Sequence, residues 1–238
     1  MKYIASCSFG KDSLAMVILA KQYGEPLDEV VYCEVMFDEK VSGEIPEHID
    51  FINNIPIPKL DSWGIKTIIV KSHKTYVSSF TREIKRGKIK GKIKGFPLCG
   101  LCHIQRDCKV SPLEAYRRSL GQDVVQYIGI AKDETERLLR LDGVQKVSLL
   151  DKYNITEENA KDLCVKHGLL SPIYEFTNRG GCWFCPNAKM PELLHLYEKH
   201  PDLWARMLEL QQLPNKATDK FNRKYRFDEI DMQMRAPK

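Results

Sequence analysis

The first part of the chain alternates short apolar runs with segments of helical periodicity. Strands are predicted at residues 2–7, 30–36, 67–70 and 126–130, where β-branched and aromatic side chains cluster. Helical spacing of apolar residues follows the first two runs, at residues 14–19 and 49–55. Strands that alternate with helices predict a doubly wound, mainly parallel α/β sheet, whose ligands bind beyond the carboxyl ends of the strands.

The last part of the chain has a different pattern. Between residues 190 and 210 the apolar residues have helical spacing that is interrupted near Pro201, which predicts two helices. Residues 213–238 are predicted to be a loose tail. We therefore expect an α/β nucleotide-binding domain at residues 1–175 and a small Cys-rich helical module with its tail at residues 176–238.

The composition is that of a folded protein. Of the 238 residues 43% are hydrophobic and 29% are charged, and the net charge is +5. No stretch of about 20 apolar residues could span a membrane, and the first residues turn polar too early for a signal peptide. These features predict a cytoplasmic protein without a membrane partner. They give no indication of its oligomeric state.

The segment Ser8–Ser13 (SFGKDS) lies between the first predicted strand and the first predicted helix. Such a turn points several backbone N–H groups and the positive helix end at one place, which attracts phosphate. Lys11 adds a positive charge, Gly10 loosens the turn, and the hydroxyls of Ser8 and Ser13 can orient a ligand. Asp12 suits Mg²⁺, although a helix cap is an equal alternative for it.

Two more candidate ligand-binding residues come from the same edge of the predicted sheet. Asp38 and Gly129 each lie at the end of a predicted strand. An ordinary strand–helix turn, with Ser8 or Asp12 acting only as a cap, is the structural alternative to a phosphate site.

The turn resembles the S-x-G-K-D-S signature of the PP-loop ATP pyrophosphatases, also called adenine nucleotide alpha hydrolases. Six later segments resemble the phosphoadenosine phosphosulfate reductase-like branch of that superfamily, in the same order: residues 37–47, 108–113, 129–137, 155–158, 168–174 and 179–186. The resemblance covers residues 2–208. It implies that the chain binds ATP or another adenylyl nucleotide and cleaves the α–β bond, with Lys11 and Asp12 as catalytic residues. It also implies that Arg137 reaches phosphate and that Asp133 or Glu134 carries a metal.

Eight cysteines in a reducing compartment suggest metal ligands, redox thiols or buried apolar residues rather than disulfides. Two C-x-x-C pairs, Cys99–Cys102 and Cys182–Cys185, predict a four-thiolate site for a four-iron four-sulfur cluster or Zn²⁺. The long separation of the pairs requires a site assembled by the tertiary fold. The other cysteines are expected to be buried apolar residues (Cys7, Cys33 and Cys164) or, for Cys108, an alternative ligand to Cys99.

The reductase branch departs from this chain at two points. Its cluster-binding members use an adjacent Cys-Cys pair and a distant C-x-x-C; Cys182 and Cys185 look like the distant pair, but Ile104 and Gln105 stand where Cys-Cys is expected. The sulfonucleotide reductases also act through a cysteine near the chain end, and no cysteine follows Cys185. The cluster is favoured over zinc, and ATP cleavage that adenylates an acceptor, with sulfur transfer, is favoured over reduction.

Two alternatives remain open at this stage. One is a reductase of adenylyl sulfate or phosphoadenylyl sulfate that draws its thiol from Cys99, Cys102 or Cys108. The other is a zinc-stabilised nucleic-acid-binding module with a vestigial PP-loop.

The segment 85–95 (KRGKIKGKIKG) is strongly basic and contains no acidic residue. A segment of this kind can follow a nucleic-acid phosphate backbone, which would make a nucleic acid the partner. Its apolar alternation at Ile89 and Ile93 also fits a hairpin with a solvated basic face or a lid over an active site.

Overall fold

The computed structural model describes residues 1–97 and 102–236. These residues form strands β1 (Lys2–Ser6), β2 (Glu29–Glu34), β3 (Lys66–Lys71), β4 (Ile93–Gly95), β5 (Val124–Ile128), β6 (Lys146–Val147) and β7 (Lys216–Thr218). The helices are α1 (Lys11–Tyr23), α2 (Pro46–Asn54), α3 (Pro56–Ser62), α4 (Tyr76–Phe80), α5 (Ser111–Ser119), α6 (Thr135–Leu138), α7 (Leu149–Lys152), α8 (Glu157–Lys166), α9 (Met190–Lys199), α10 (Pro201–Gln212) and α11 (Phe227–Arg235). A π-helical segment, Gln105–Val110, and a 3₁₀ segment, Pro172–Glu175, complete the set.

The chain forms two compact units, each built from separate stretches. The first unit consists of Met1–Glu34, Pro46–Lys71 and Ser111–Glu175. The second consists of Val35–Ile45, Ser72–Val110 and Phe176–Lys238. The division into domains 1–175 and 176–238 made from the sequence stays a prediction.

The first unit holds a parallel sheet in the order β3-β2-β1-β5-β6. Strand order moves outward from β1 in both directions, so the doubly wound α/β fold predicted from the sequence is confirmed. One face of the sheet packs on α1, whose residues Leu14–Ala20 are all buried. Ile4, Val31 and Val124 face the other side, where residues of α5 pack against them. A helix that is apolar on every side is stable only inside a protein, so α1 is the centre of this unit.

The second unit is held together by aromatic side chains. Phe96 contacts both Phe80 and Phe221, and Phe221 contacts Phe227 of α11. Helices α9 and α10 meet at Pro201, which confirms the predicted interruption.

The prediction of a loose tail at residues 213–238 is wrong for residues 213–236, the part that the structure describes. Strand β7 pairs with β4, and α11 buries Phe227 and Ile230. A few large apolar residues among many charged ones are enough to anchor this segment, because each aromatic ring buries a large area. In the described residues, no helix is long and apolar enough to cross a membrane.

Candidate functional site

The predicted phosphate-binding turn lies at the carboxyl end of β1, at the centre of the first unit's sheet. Phe9 takes a left-handed conformation (φ 57°) with a fully buried ring, and Gly10 returns the chain to an extended conformation just before α1. A β-carbon on Gly10 would lie 3.1 Å from the Tyr174 hydroxyl. The turn is therefore shaped by a buried ring on one side and a close hydroxyl on the other.

The backbone donors of this turn are only partly used. The Lys11 N–H donates to the Tyr174 hydroxyl at 2.8 Å, and the Ser8 N–H donates to Ser13 Oγ at 3.3 Å. Among the described residues, the N–H groups of Gly10, Asp12 and Ser13 have no hydrogen-bond acceptor. Unpaired N–H groups at a helix N-terminus form a binding site for an anion.

The ammonium group of Lys11 is buried at the start of α1. It bonds to Asp12 Oδ1 at 2.8 Å and to Glu157 Oε2 at 2.7 Å. Burial lowers the pKa of Lys11, but its hydrogen bonds and charge interactions with the two carboxylates outweigh this effect and raise it overall. Lys11 is thus a cation at neutral pH. Burial raises the pKa of Asp12, and the nearby charges of Glu157 and Glu134 raise it further. The hydrogen bond and the charge of Lys11 lower this pKa, but the net shift is upward.

Gly129 packs directly on the first turn of α1, and ligand binding at this position stays a prediction. A β-carbon there would lie 2.8 Å from both N and Cα of Ser13. Strand β5 ends at Ile128, and the close approach explains why a residue without a side chain follows.

The loop after Gly129 brings further predicted residues to the same unit. Asp133 Oδ1 accepts the N–H of Glu157 at 3.1 Å, and Glu134 accepts the N–H of Ala131 at 3.1 Å. Arg137 forms an ion pair with Glu134. These carboxylates hold the loop and the start of α8 in place, and a role for them toward a ligand stays a prediction.

Three residues of this site were not identified from the sequence. Glu157 and Tyr174 both bind Lys11, and His48 supports the turn from α2. The buried His48 ring has Nδ1 2.8 Å from Ser171 Oγ and Nε2 3.2 Å from the carbonyl oxygen of Ser8. The segments that hold Glu157 and Tyr174 are part of the family resemblance, but it gave these residues no role, and each of the three residues acts through a partner distant in sequence.

Asp38 lies in the second unit. Its carboxylate forms an ion pair with Arg206 and accepts the N–H groups of Lys40 and Val41, both at 2.8 Å. Burial raises the pKa of Asp38, but these bonds lower it overall. Nucleotide binding by Asp38 stays a prediction.

The second C-x-x-C pair forms a tight turn in the second unit. The Cys185 N–H donates to the Cys182 carbonyl at 3.0 Å. Between them, Trp183 and Phe184 are buried, and the Trp183 indole N–H donates to the Ser42 carbonyl at 2.9 Å. The two aromatic residues fix the turn, so the positions of both cysteines are set by the core.

Of the first pair, Cys102 is described and Cys99 lies outside the described residues. Cys102 is near enough to Cys182 for the charge of one to affect the other. Within the part of the chain described, Cys102, Cys182 and Cys185 do not form a group whose sulfur atoms all lie within 4.8 Å of one another. Cys108 is fully buried, and its thiol bonds with Ser79.

Charged groups surround the cysteines. Burial raises the pKa of Cys182 well above its usual value; Glu44 raises it further, and Lys109 lowers it. Arg179 forms a hydrogen bond with Cys185 and an ion pair with Glu192 at 2.9 Å. A nearby cation, such as a bound metal or a basic side chain, favours the thiolate form of such a thiol.

Tyr76 provides a test of fit for a bound group. Its side chain is fully buried near Cys102, Cys182 and Cys185, and its hydroxyl has no hydrogen-bond partner among the described residues. Thiols together with an unpaired donor suit a metal or cluster that thiolates bind, because such a group carries electron-rich sulfur. The remaining cysteines Cys7, Cys33 and Cys164 are buried, as expected from their apolar surroundings.

The basic segment is a hairpin, one of the three forms that the sequence allowed. The Ile84 N–H donates to the Lys92 carbonyl at 2.8 Å, and the Lys94 N–H donates to the Arg82 carbonyl at 3.0 Å. Asn215 fixes the hairpin by donating to the Gly91 carbonyl at 3.0 Å. The solvent-exposed residues of this basic hairpin are Arg82, Lys85, Arg86, Lys88, Lys90 and Lys92.

The chain was compared with known proteins. No family model matches it, and no curated protein matches its sequence. Its structure is similar to that of the U34-tRNA thiolase NcsA from Methanococcus maripaludis, solved with its [4Fe-4S] cluster. The TM-score is 0.46 and the identity 17%, over 90% of this chain and 72% of the thiolase. A similarity of this degree assigns no activity, so function has to be inferred from the chain's own residues.

Proposed function

We propose that the chain is a PP-loop enzyme that binds ATP at the turn Ser8–Ser13, cleaves the bond between the α- and β-phosphates and adenylates an acceptor. The unpaired N–H groups of Gly10, Asp12 and Ser13 beside the buried Lys11 ammonium support the proposal most strongly. Three donors and one cation that meet at a helix N-terminus match the oxygen atoms of a phosphate chain.

In the proposed reaction an oxygen atom of the acceptor attacks the α-phosphorus of ATP. The bond to the bridging oxygen breaks, and pyrophosphate leaves with the electron pair. Lys11 and the N–H groups stabilise the charge that develops on pyrophosphate. Asp12 and Glu134 are the carboxylates that would hold Mg²⁺, which prefers oxygen ligands.

The cysteines extend the proposal to sulfur transfer. Cys102, Cys182 and Cys185, with Cys99 or Cys108, would hold a four-iron four-sulfur cluster. Such a cluster supplies iron sites with affinity for sulfur and one-electron chemistry. In the second step hydrogensulfide attacks the activated carbon of the acceptor, and AMP leaves with the oxygen atom.

The basic hairpin supports a nucleic acid as acceptor. Of its six exposed basic residues, only Lys85 forms an ion pair among the described residues, with Glu83 at 3.1 Å. Exposed cations of this kind suit a phosphate backbone, whose recognition needs charge rather than a specific side-chain pattern.

Pyrophosphate release tests the nucleotide site. Full-length protein, purified without oxygen, is given ATP, Mg²⁺, sulfide and bulk RNA. We expect Lys11→Ala to abolish pyrophosphate release, whereas Lys21→Ala, an exposed lysine of the same helix, has no effect. Because Lys11→Ala leaves two carboxylates unpaired, Lys11→Arg is the second variant, and circular dichroism reports the fold of both. Unchanged turnover in a folded Lys11 variant would contradict the proposal.

The alternatives give different products in the same assays. Sulfite formed from adenylyl sulfate would identify a reductase. Binding of nucleic acid without any turnover, in a protein that contains zinc, would identify a binding module.

Salt dependence tests the hairpin. We expect the triple variant Lys88→Gln, Lys90→Gln, Lys92→Gln to reduce the slope of log affinity against log salt by about 2 for single-stranded RNA. The control variant replaces three exposed lysines on other helices: Lys161, Lys166 and Lys199. Equal slopes for both variants would show that the hairpin does not bind RNA.

A further inference from the structure

Tyr76 is the first residue of α4 and is held firmly in the core of the second unit. Its ring centroid lies 4.1 Å from that of Phe184 and 5.5 Å from that of Phe37. Thr75 caps the helix and forms a reciprocal pair of bonds with Ser78. The Tyr76 ring therefore has little freedom to move, and the surrounding core sets the direction of its hydroxyl.

A purely structural role does not account for the Tyr76 hydroxyl. It is fully buried, and it lacks a hydrogen-bond partner in the described part of the chain. Leaving a buried donor unpaired costs free energy that a phenylalanine at this position would avoid. The ring packs on Phe184, which lies between Cys182 and Cys185, and charges on both cysteines and on Cys102 affect the hydroxyl.

We propose that the Tyr76 hydroxyl donates a hydrogen bond to a sulfur atom of the iron–sulfur cluster bound by Cys102, Cys182 and Cys185, which makes Tyr76 a positioning residue that raises the reduction potential of the cluster. This inference rests on the proposed function, which places a cluster at these cysteines. A donor beside electron-rich sulfur stabilises the reduced, more negative state of a cluster more than the oxidised state. The hydrogen bond between Arg179 and Cys185 would also raise the reduction potential of the cluster.

The test compares Tyr76→Phe with the wild-type chain, both purified full-length without oxygen and with their cluster. We expect the midpoint potential, followed by electron paramagnetic resonance, to become more negative in the variant. We also expect the variant to lose one exchangeable-deuteron coupling in the reduced spectrum. The control is Tyr127→Phe, which removes the same atom from a buried tyrosine of the first unit. Equal potentials and equal couplings in Tyr76→Phe and wild type would overturn the proposal.

Metal-free protein completes the design. Because the hydroxyl has no hydrogen-bond partner among the residues that the structure describes, metal-free Tyr76→Phe should melt at the wild-type temperature or above it. Release of iron to a chelator should be faster from the variant than from wild type. A lower melting temperature of the metal-free variant would show a structural role and overturn the proposal. If the wild-type chain binds no iron and sulfide, the cluster of the proposed function is refuted. If the chain binds a cluster whose properties Tyr76→Phe leaves unchanged, only the proposed role of Tyr76 is refuted.

Discussion

Replacing Gly129 with alanine directly tests the geometry of the candidate nucleotide site. The added β-carbon would lie 2.8 Å from Ser13 N and Cα and 2.9 Å from the Asp12 carbonyl carbon. All three atoms belong to the backbone of the first turn of α1, so no side chain can rotate to make room. The end of β5 and the start of α1 must move apart.

The size of the effect follows from the overlap. Real β-carbons essentially never lie closer than 3.0 Å to another atom, so the backbone must move by at least about 0.2 Å to relieve the 2.8 Å contacts. Overpacking of this kind costs about 1–3 kcal/mol of the free energy of unfolding. Alanine recovers about 0.4–1 kcal/mol by restricting the unfolded chain. We expect a net loss of about 1–2 kcal/mol.

Affinity for ATP should fall as well, because the displaced atoms include Ser13 N, one of the unpaired donors of the turn. A loss of about 1.4 kcal/mol of binding free energy corresponds to a tenfold higher dissociation constant. Urea unfolding measures the first effect, and calorimetry with ATP and Mg²⁺ measures the second. Gly180→Ala is the control, since a β-carbon there meets nothing within 4 Å. If Gly129→Ala matches wild type in both assays, β5 does not contact the turn as described.

Three other predictions concern single side chains. Glu157→Gln frees the Lys11 ammonium from one carboxylate, so ATP should bind several-fold more tightly in calorimetry without Mg²⁺; weaker binding would contradict this role. Cys182→Ser should lose its bound metal in elemental analysis, whereas Cys33→Ser, a buried cysteine of the other unit, should retain it; equal metal content would exclude Cys182 as a ligand. Because the folded pKa of Asp38 is below its ordinary value of 3.8, its stabilising effect is present above pH 3.8 and is lost as the pH falls through the folded pKa. Arg206→Met should therefore lose less unfolding free energy on acidification than wild type, and parallel profiles would count against this pair.

Much of the fold could be predicted because its signals are local. The apolar run of β1, the polar turn and the apolar stretch of α1 stand next to each other in the sequence, and periodicity distinguishes them. The segment 213–236 lacks such a signal: α11 is fixed by Phe227, whose ring contacts Trp204 and Phe221. Those contacts are decided by tertiary packing, which overrides a polar local composition.

The candidate site, like the fold, has a part that could be predicted from local sequence and a part that could not. The turn Ser8–Ser13 could be found because its donors lie within a few consecutive residues. The residues that complete it come from far along the chain: Tyr174 is 163 positions from Lys11, and Glu157 is 146. One sequence gives no information on which distant side chains meet, so these partners could not be predicted. The same limit applies to Tyr76, whose significance depends on which cysteines surround it.

In the proposed function, the charges around Lys11 would favour a metal–nucleotide complex over a bare triphosphate at this turn. Lys11 contacts two carboxylates, and a third, Glu134, is near enough to raise the pKa of Asp12. These groups together are negative, although the helix end and the unpaired N–H groups are positive. A triphosphate alone would meet repulsion from the carboxylates, whereas bound Mg²⁺ would turn Asp12 and Glu134 into attractive partners. The Glu157 side chain is 46% exposed and that of Lys11 only 8%, so Glu157 is the partner that can move away when phosphate takes its place. In the proposed function, the ion pair would thus keep Lys11 in position and charged until the nucleotide binds.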